Sequence, residues 1–286
     1  MPLQKFLNNL EDLSNKKVLI TGGTSGIGLS IVNQLLYKHA EVVVLARNPS
    51  KSKEVKTRMQ EKYPDCHLDF ISYDQSDFKS IDRAIDVILK EHNDFYALIC
   101  NAGIFGRDKR SDTGMSLTIK TNYVGLAYFL KHLVPNLQNE HRIILQGSLG
   151  AGWKIKKIKS LNETIQLSHW QQYMISKAGV EMLYYHYSNM ELNHISFYLV
   201  EPGLTKTDII REFPFPIKQM GKLFLLFFSH SKSKAALTAL LALQKDVKPC
   251  YIVPNFFFTW RGYPIIKPFP KKRIRVYLYE LLNEIV

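Results

Sequence analysis

Val18-Leu19-Ile20-Thr21-Gly22-Gly23-Thr24-Ser25-Gly26-Ile27-Gly28 joins a short apolar run to a glycine-rich turn, and Ile27, Ile31, Leu35 and Leu36 carry on at helical spacing. Such a turn excludes side chains where backbone must pass close to a neighbour or a ligand. The helix that follows presents unpaired N–H groups and a partial positive charge at its start, a cradle for a pyrophosphate. The glycine spacing is GxxxGxG rather than GxGxxG, and no Walker lysine accompanies it. A purely structural turn is the competing reading. The strand–turn–helix context favours nucleotide binding through Thr21, Gly22, Thr24, Ser25, Gly26, Ile27 and Gly28.

Outward from this unit, apolar runs and helical patterns alternate. Residues 41–46 form a second strand, so the first helix is the crossover of a βαβ unit with parallel strands. Further strands are expected at 67–72, 97–100, 142–146, 195–200 and 250–253. Helices are expected at about 81–90, 117–137, 170–189 and 232–244. Leu3, Phe6, Leu7, Leu10 and Leu13 suggest a short amphipathic helix docked at the N-terminus. The whole of 1–286 reads as a single α/β domain of Rossmann type: a doubly wound parallel sheet with ligand sites at the carboxyl ends of its strands.

The second strand ends in Ala46-Arg47-Asn48. An acidic residue near this point commonly holds the ribose 2′-hydroxyl of NAD. Arg47 can instead grip a 2′-phosphate bidentately, so NADP is favoured over NAD; a solvated surface arginine is the alternative.

Tyr173-Met174-Ile175-Ser176-Lys177 sets a phenol and an ammonium one helical turn apart. A free phenol titrates near 10 and is a poor base at neutral pH. A neighbouring ammonium and an oxidised nicotinamide would favour its phenolate, which could then exchange a proton with a substrate oxygen. The pair alone is a weak signal in a chain with fifteen tyrosines.

The order of landmarks is far more specific. Thr21 to Gly28, Asp74, Asn101-Ala102-Gly103, Asn122, Ser148, Tyr173 with Lys177, and Pro202-Gly203 followed by Thr207 together resemble the short-chain dehydrogenase/reductase family over residues 16 to 255. The resemblance implies an NAD(P)-dependent oxidoreductase acting on an alcohol/carbonyl pair. It implies that Asp74 contacts adenine and that Asn101, Ala102 and Gly103 line the adenosine side. Ser148 would hydrogen-bond the substrate oxygen, Tyr173 would be the general acid/base, and Lys177 would hold the nicotinamide ribose. Asn122 would hold a relay water, and Pro202, Gly203 and Thr207 would border the nicotinamide. Each residue also has a structural reading: Asp74 and Asn101 as loop caps, Ser148 as a turn cap, Pro202-Gly203 as a loop signal. Asn122 stands in an apolar helix pattern where Asn is disfavoured without a task.

Ser148 and Tyr173 lie 25 positions apart, a long gap similar to that of the retinol-dehydrogenase-like branch. The inserted stretch, with Trp153, Leu161, Ile165 and Trp170, is expected to wall the substrate cleft. An apolar segment within 204–231 is expected to form a substrate lid, suited to a lipophilic retinoid, steroid or fatty carbonyl; a core helix is the alternative. Gln75, Cys100 and Gln146-Gly147 depart from the family pattern.

The net charge of +13 favours anionic partners, among them nucleotide phosphates, nucleic acid and anionic lipid. No nucleic-acid-recognition motif accompanies it, so no specific nucleic-acid partner is expected. Residues 255–286 form a basic extension whose last part, 276–286, has apolar positions near helical spacing. It could lie on an anionic membrane as a peripheral contact or cover the domain, and the latter is favoured. Three scattered cysteines exclude a disulfide framework or zinc site, and no metal is expected. The N-terminus lacks a secretory h-region, which suggests a cytoplasmic protein, peripheral on a membrane surface if the tail does bind lipid. A homodimer or homotetramer is a further expectation from the resemblance. A non-catalytic dinucleotide-binding sensor or scaffold on the same fold is the alternative to an enzyme; an epimerase would need more chain.

Overall fold

The computed structural model describes residues 3–106, 114–205, 229–256, 259 and 261–282. One eight-stranded sheet runs through it in the order β3-β2-β1-β4-β5-β6-β7-β8. The strands are β1 (Lys17–Thr21), β2 (Glu41–Ala46), β3 (Leu68–Ser72), β4 (Ala97–Cys100), β5 (His141–Gln146), β6 (Ile195–Val200), β7 (Tyr251–Phe256) and β8 (Arg261–Lys267). The pairs from β3 through to β7 are parallel; β8 closes the edge antiparallel to β7. The strand order reverses between β1 and β4, which opens a crevice at their carboxyl ends.

Alternate strand residues face opposite layers. Leu19, Val43, Leu45 and Leu98 pack with Ile81, Ile88, Phe129 and Ile175 on one side. Val18, Ile20, Val44 and Ile99 pack with Ile31, Val32, Leu35 and Leu240 on the other. Both faces are covered, so the inner strands read as unbroken apolar runs. Leu7, Leu10 and Leu13 are buried in the second cluster, which docks the N-terminal helix α1 (Leu3–Asn8) as its spacing suggests.

The helices that shape the crevice are α2 (Gly26–Tyr37), α4 (Phe78–Glu91) and α7 (His169–Ser188). Between β2 and β3 lies α3 (Pro49–Lys62), which apolar periodicity does not announce, since only Ser52, Val55 and Met59 are buried. Its start is chemical instead: Asn48 Oδ1 accepts from Lys51 N at 3.0 Å, and proline follows at the first helical position.

The long helix expected at 117–137 is not uniform. It opens as α5 (Leu117–Ile119), widens into a π turn over Lys120–Val124, and returns to α-helix as α6 (Gly125–Leu133). A π turn loosens the backbone ladder, and such turns cluster at functional sites. The buried Gln75 amide donates to the Thr121 carbonyl at 2.7 Å, so the departure at position 75 holds this turn.

The tail corrects one expectation. Residues 261–267 of the basic extension form strand β8, and among the described residues the helix after it runs over Val276–Glu280. Leu278 and Leu282 lie in the core, and Tyr123 Oη donates to Leu278 O at 2.6 Å. These two residues of the segment thus pack into the domain, while Val276 is exposed. No helix among the described residues is long and apolar enough to cross a membrane. Thr207 and residues 206–228 of the expected lid lie outside the described residues.

Candidate active site

The crevice floor is built from the two loops that leave β1 and β4. Gly22 N donates to Leu45 O at 2.9 Å, which ties the turn to β2. Thr21 is fully buried, and its hydroxyl accepts from Ala102 N at 2.9 Å. Asn101 Nδ2 donates to the carbonyls of Thr21 (3.0 Å) and Gly22 (3.2 Å), so Asn101 is part of the turn. Ser25 makes no side-chain cap at the start of α2, and Gly22 and Gly26 adopt φ of +72° and +60°. A Cβ on Gly26 would meet nothing, whereas one on Gly28 would run into Gly22 O and Asn101 Nδ2. The turn thus offers uncapped N–H groups beside open space, and these residues fit a dinucleotide pyrophosphate.

Arg47 and Asp74 meet at 3.5 Å beyond this turn. Asp74 Oδ1 accepts from Ser76 N and Oγ, the loop-cap role, while Oδ2 faces the arginine. Arg47 remains more than half exposed, so its pairing is weak and its fork accessible.

A second group of side chains converges from β5, the π turn and α7. Lys177 is buried, and its Nζ donates to Gln146 O at 2.9 Å. The Gln146 side chain donates in turn to Asn101 Oδ1 at 2.9 Å, so one glutamine links the cofactor turn to the lysine. Asn122 uses both amide protons, on Ile104 O (2.8 Å) and Ser176 Oγ (3.1 Å), and its oxygen accepts from Ile104 N (2.7 Å). That leaves the amide with acceptor capacity only. Gly103 lies between these groups: a Cβ there would sit 3.3 Å from Asn122 Oδ1 and 3.7 Å from Lys177 Nζ. Pro202 and Gly203 follow β6 after Glu201, and the Pro202 carbonyl is 2.5 Å from His230 Nε2.

Tyr173 is half-buried at the mouth of this group. Burial pushes its phenol above the ordinary value; the hydrogen bond from the Ser148 side chain lowers it, and Glu201 raises it again. Ser148 Oγ also accepts from Gly150 N at 3.3 Å. Burial pushes the Lys177 ammonium down to about 8. The phenolate is thus not favoured by the protein alone, because desolvation is the largest influence on it. Phe105 and Trp170 pack around the Tyr173 ring with centroids at 5.3 and 6.4 Å, and Trp153 packs on Trp170 at 5.5 Å. The inserted stretch divides: Trp153 and Trp170 stand by the cleft, whereas Ile158 and Leu161 are buried in the core.

The lysine also yields an expected result. Its folded pKa, about 8, is below the free value of 10.5, so between these the unfolded chain binds more protons and stability rises with pH. Below pH 8 the buried charge costs up to about 3 kcal/mol. Lys177→Met removes that cost but also a hydrogen bond worth about 1 kcal/mol. The ligand-free variant should melt higher than the parent at pH 7, with the gap closing between pH 8 and 10.5. Thermal midpoints across that range check it; a lower midpoint at pH 7 would contradict the buried charge.

Sequence reasoning did not single out Glu181 or Glu201, both fully buried beneath this group, or Arg273, which bonds to both. The spacing of Tyr173, Lys177 and Glu181 at successive helical turns was the available signal for one of them. Among the described residues no cluster of three or more His, Cys, Asp or Glu is placed to hold a metal.

Fold and crevice together define an α/β protein of Rossmann type. The family model described as short chain dehydrogenase matches residues 16–214, and the chain belongs to the short-chain dehydrogenase/reductase family. A short-chain dehydrogenase/reductase of Emericella nidulans is 31% identical over 189 residues, 61% of this chain and 61% of that protein. The match therefore spans less than two thirds of that relative's length. The chloroplastic short-chain dehydrogenase TIC 32 B of Brassica napus is 25% identical over 252 residues, 83% of this chain and 78% of that protein. In fold, the chain is similar to an uncharacterized protein from Mycobacterium paratuberculosis, with a TM-score of 0.75 and 20% identity over 97% of this chain and 96% of that one. It is also similar to L-sorbose reductase from Gluconobacter frateurii, with a TM-score of 0.64 and 18% identity over 82% and 91%.

Proposed function

We propose that the chain is an oxidoreductase that reduces a lipophilic carbonyl with NADPH, with Tyr173 as the proton donor. The observation that carries this reading is that Tyr173 and Ser148 both lie within 4 Å of a Cβ on Gly150, with buried Lys177 one turn along α7 and linked through Gln146 and Asn101 to the uncapped helix start. The bound nicotinamide would supply the hydride. Tyr173 gives its proton to the substrate oxygen, and Ser148 stabilises the charge that develops there by a hydrogen bond. A phenol is protonated at neutral pH and burial raises Tyr173 further above its ordinary value, so Tyr173 carries the proton that reduction consumes. Lys177 holds the nicotinamide ribose through its ammonium. Proton return to Tyr173 runs through a water accepted by Asn122, whose two amide protons are already committed.

Arg47 supports NADP over NAD: its guanidinium, at the end of β2, is more than half exposed and only weakly paired with Asp74, so its fork is free to take a 2′-phosphate. Asp74 and Asn101 to Gly103 serve the adenosine side, and Pro202, Gly203 and Thr207 the nicotinamide side. Phe105, Trp153 and Trp170 around Tyr173 support an apolar substrate. Cofactor oxidation on a panel of aldehydes and ketones, run with NADPH and NADH, tests the reading. Turnover should be faster with NADPH and with aromatic or long-chain carbonyls. A preference for small polar ketones would defeat the substrate assignment, and inactivity across the panel would defeat the reaction.

A further inference from the structure

The C-terminal segment returns beneath the cleft. Arg273 stands in a basic run, yet it is only 6% exposed. Its guanidinium meets several elements at once. Nε donates to Glu181 Oε2 at 3.1 Å, and Nη2 lies against the other oxygen of that carboxylate. Nη2 also faces Glu201 Oε1 at 2.6 Å and the Ser148 carbonyl at 3.2 Å, while Nη1 donates to Tyr251 Oη at 2.8 Å. Glu181 sits one turn beyond Lys177 and two beyond Tyr173 on α7, and Glu201 directly precedes Pro202-Gly203. Arg275 extends the grip: Nη1 donates to Ala151 O at 3.0 Å and Nη2 to Trp153 O at 3.3 Å. The two arginines thus take up carbonyls at 148, 151 and 153, along the loop that carries both Ser148 and Trp153.

Stability alone does not account for this arrangement. Burying a guanidinium with two carboxylates carries a desolvation cost that apolar side chains of similar volume would avoid. What a rigid, bidentate fork adds is geometry. Burial pushes the Glu181 carboxyl up to about 8, and the Arg273 guanidinium pulls against that rise.

We propose that Arg273 is a positioning residue for the reaction assigned above. It fixes the Ser148 backbone against the helix of Tyr173 and Lys177, and so sets the Ser148 hydroxyl relative to the phenol. This rests on the carbonyl-reductase reading, but its test has a readout independent of activity. Arg273→Lys keeps the buried charge and loses the fork; Arg273→Gln loses both. In Arg273→Lys the thermal midpoint and NADPH affinity should stay near those of the parent. Its kcat should fall about tenfold to a hundredfold, the scale of a small misplacement. Amide hydrogen exchange over 147–153 should rise about tenfold while β6 stays protected. Arg273→Gln should show the same pattern more strongly; if it does not fold, the lysine variant decides. Parental kcat and parental loop exchange in Arg273→Lys would overturn the proposal. So would a uniform rise in exchange across the sheet, which marks a structural role only. An inactive parent would sink the reaction, while exchange at 147–153 still reports whether Arg273 holds the loop.

Discussion

Tyr173→Phe is expected to lower kcat by about a hundredfold to ten-thousandfold, the range a positioned general acid contributes. The variant loses one hydroxyl and keeps the ring, so the contacts with Phe105 and Trp170 survive. Lys177 keeps its bond to Gln146 O, and the cofactor turn is untouched, because neither involves the phenol. NADPH affinity should therefore change little. Loss of the hydroxyl should cost no more stability than one hydrogen bond, about 1 kcal/mol, which a thermal midpoint detects. A fall in kcat and kcat/KM together, with unchanged cofactor binding, marks a group that acts only in the transition state. Turnover in Tyr173→Phe equal to that of the parent would exclude the proton role, and with it the account of why the phenol is buried.

Much of the fold was legible because the inner strands are covered on both faces. Val18 to Ile20 and Val42 to Ala46 read as unbroken apolar runs for that reason, and the helix between them shows its stripe clearly. Helix α3 was not legible from periodicity, because it lies on the surface and buries little; its signal was the Asn48 cap and Pro49. Strand β8 was missed because it is an edge strand carrying Pro264, and it depends on pairing with β7 rather than on its own pattern. The candidate site shows the same division. Motif order brought out the residues proposed to face a ligand. The residues that hold those in place, Gln146, Glu181, Glu201 and Arg273, act across 31 to 125 positions of sequence, and no local pattern records such contacts. Arg273 is the clearest case. A basic run reads as solvated surface, and only the folded chain shows one of its members closed over by two carboxylates.

Gly28→Ala should abolish cofactor binding and destabilise the fold at once, and the reason lies in what the missing side chain would touch. An added Cβ would run into the Gly22 carbonyl and stand 2.5 Å from Asn101 Nδ2. Neither can yield cheaply. The Gly22 carbonyl is backbone in the turn, and Asn101 is held by Thr21, Gly22 and Gln146 together. Overpacking of this kind costs about 1–3 kcal/mol. The displacement would also pass through Gln146 to the carbonyl that receives Lys177, so the catalytic group would shift with the turn. Gly26→Ala is the informative contrast. Its Cβ meets no protein atom, so the fold should lose only the left-handed penalty of about 1–2 kcal/mol. The methyl group would instead occupy the open space over the helix start, and NADPH affinity should drop while the melting point falls only modestly. Fluorescence titration with NADPH beside thermal melts separates the two effects. If Gly28→Ala bound NADPH as tightly as the parent, the turn would be a packing device, and the pyrophosphate would have to lie elsewhere.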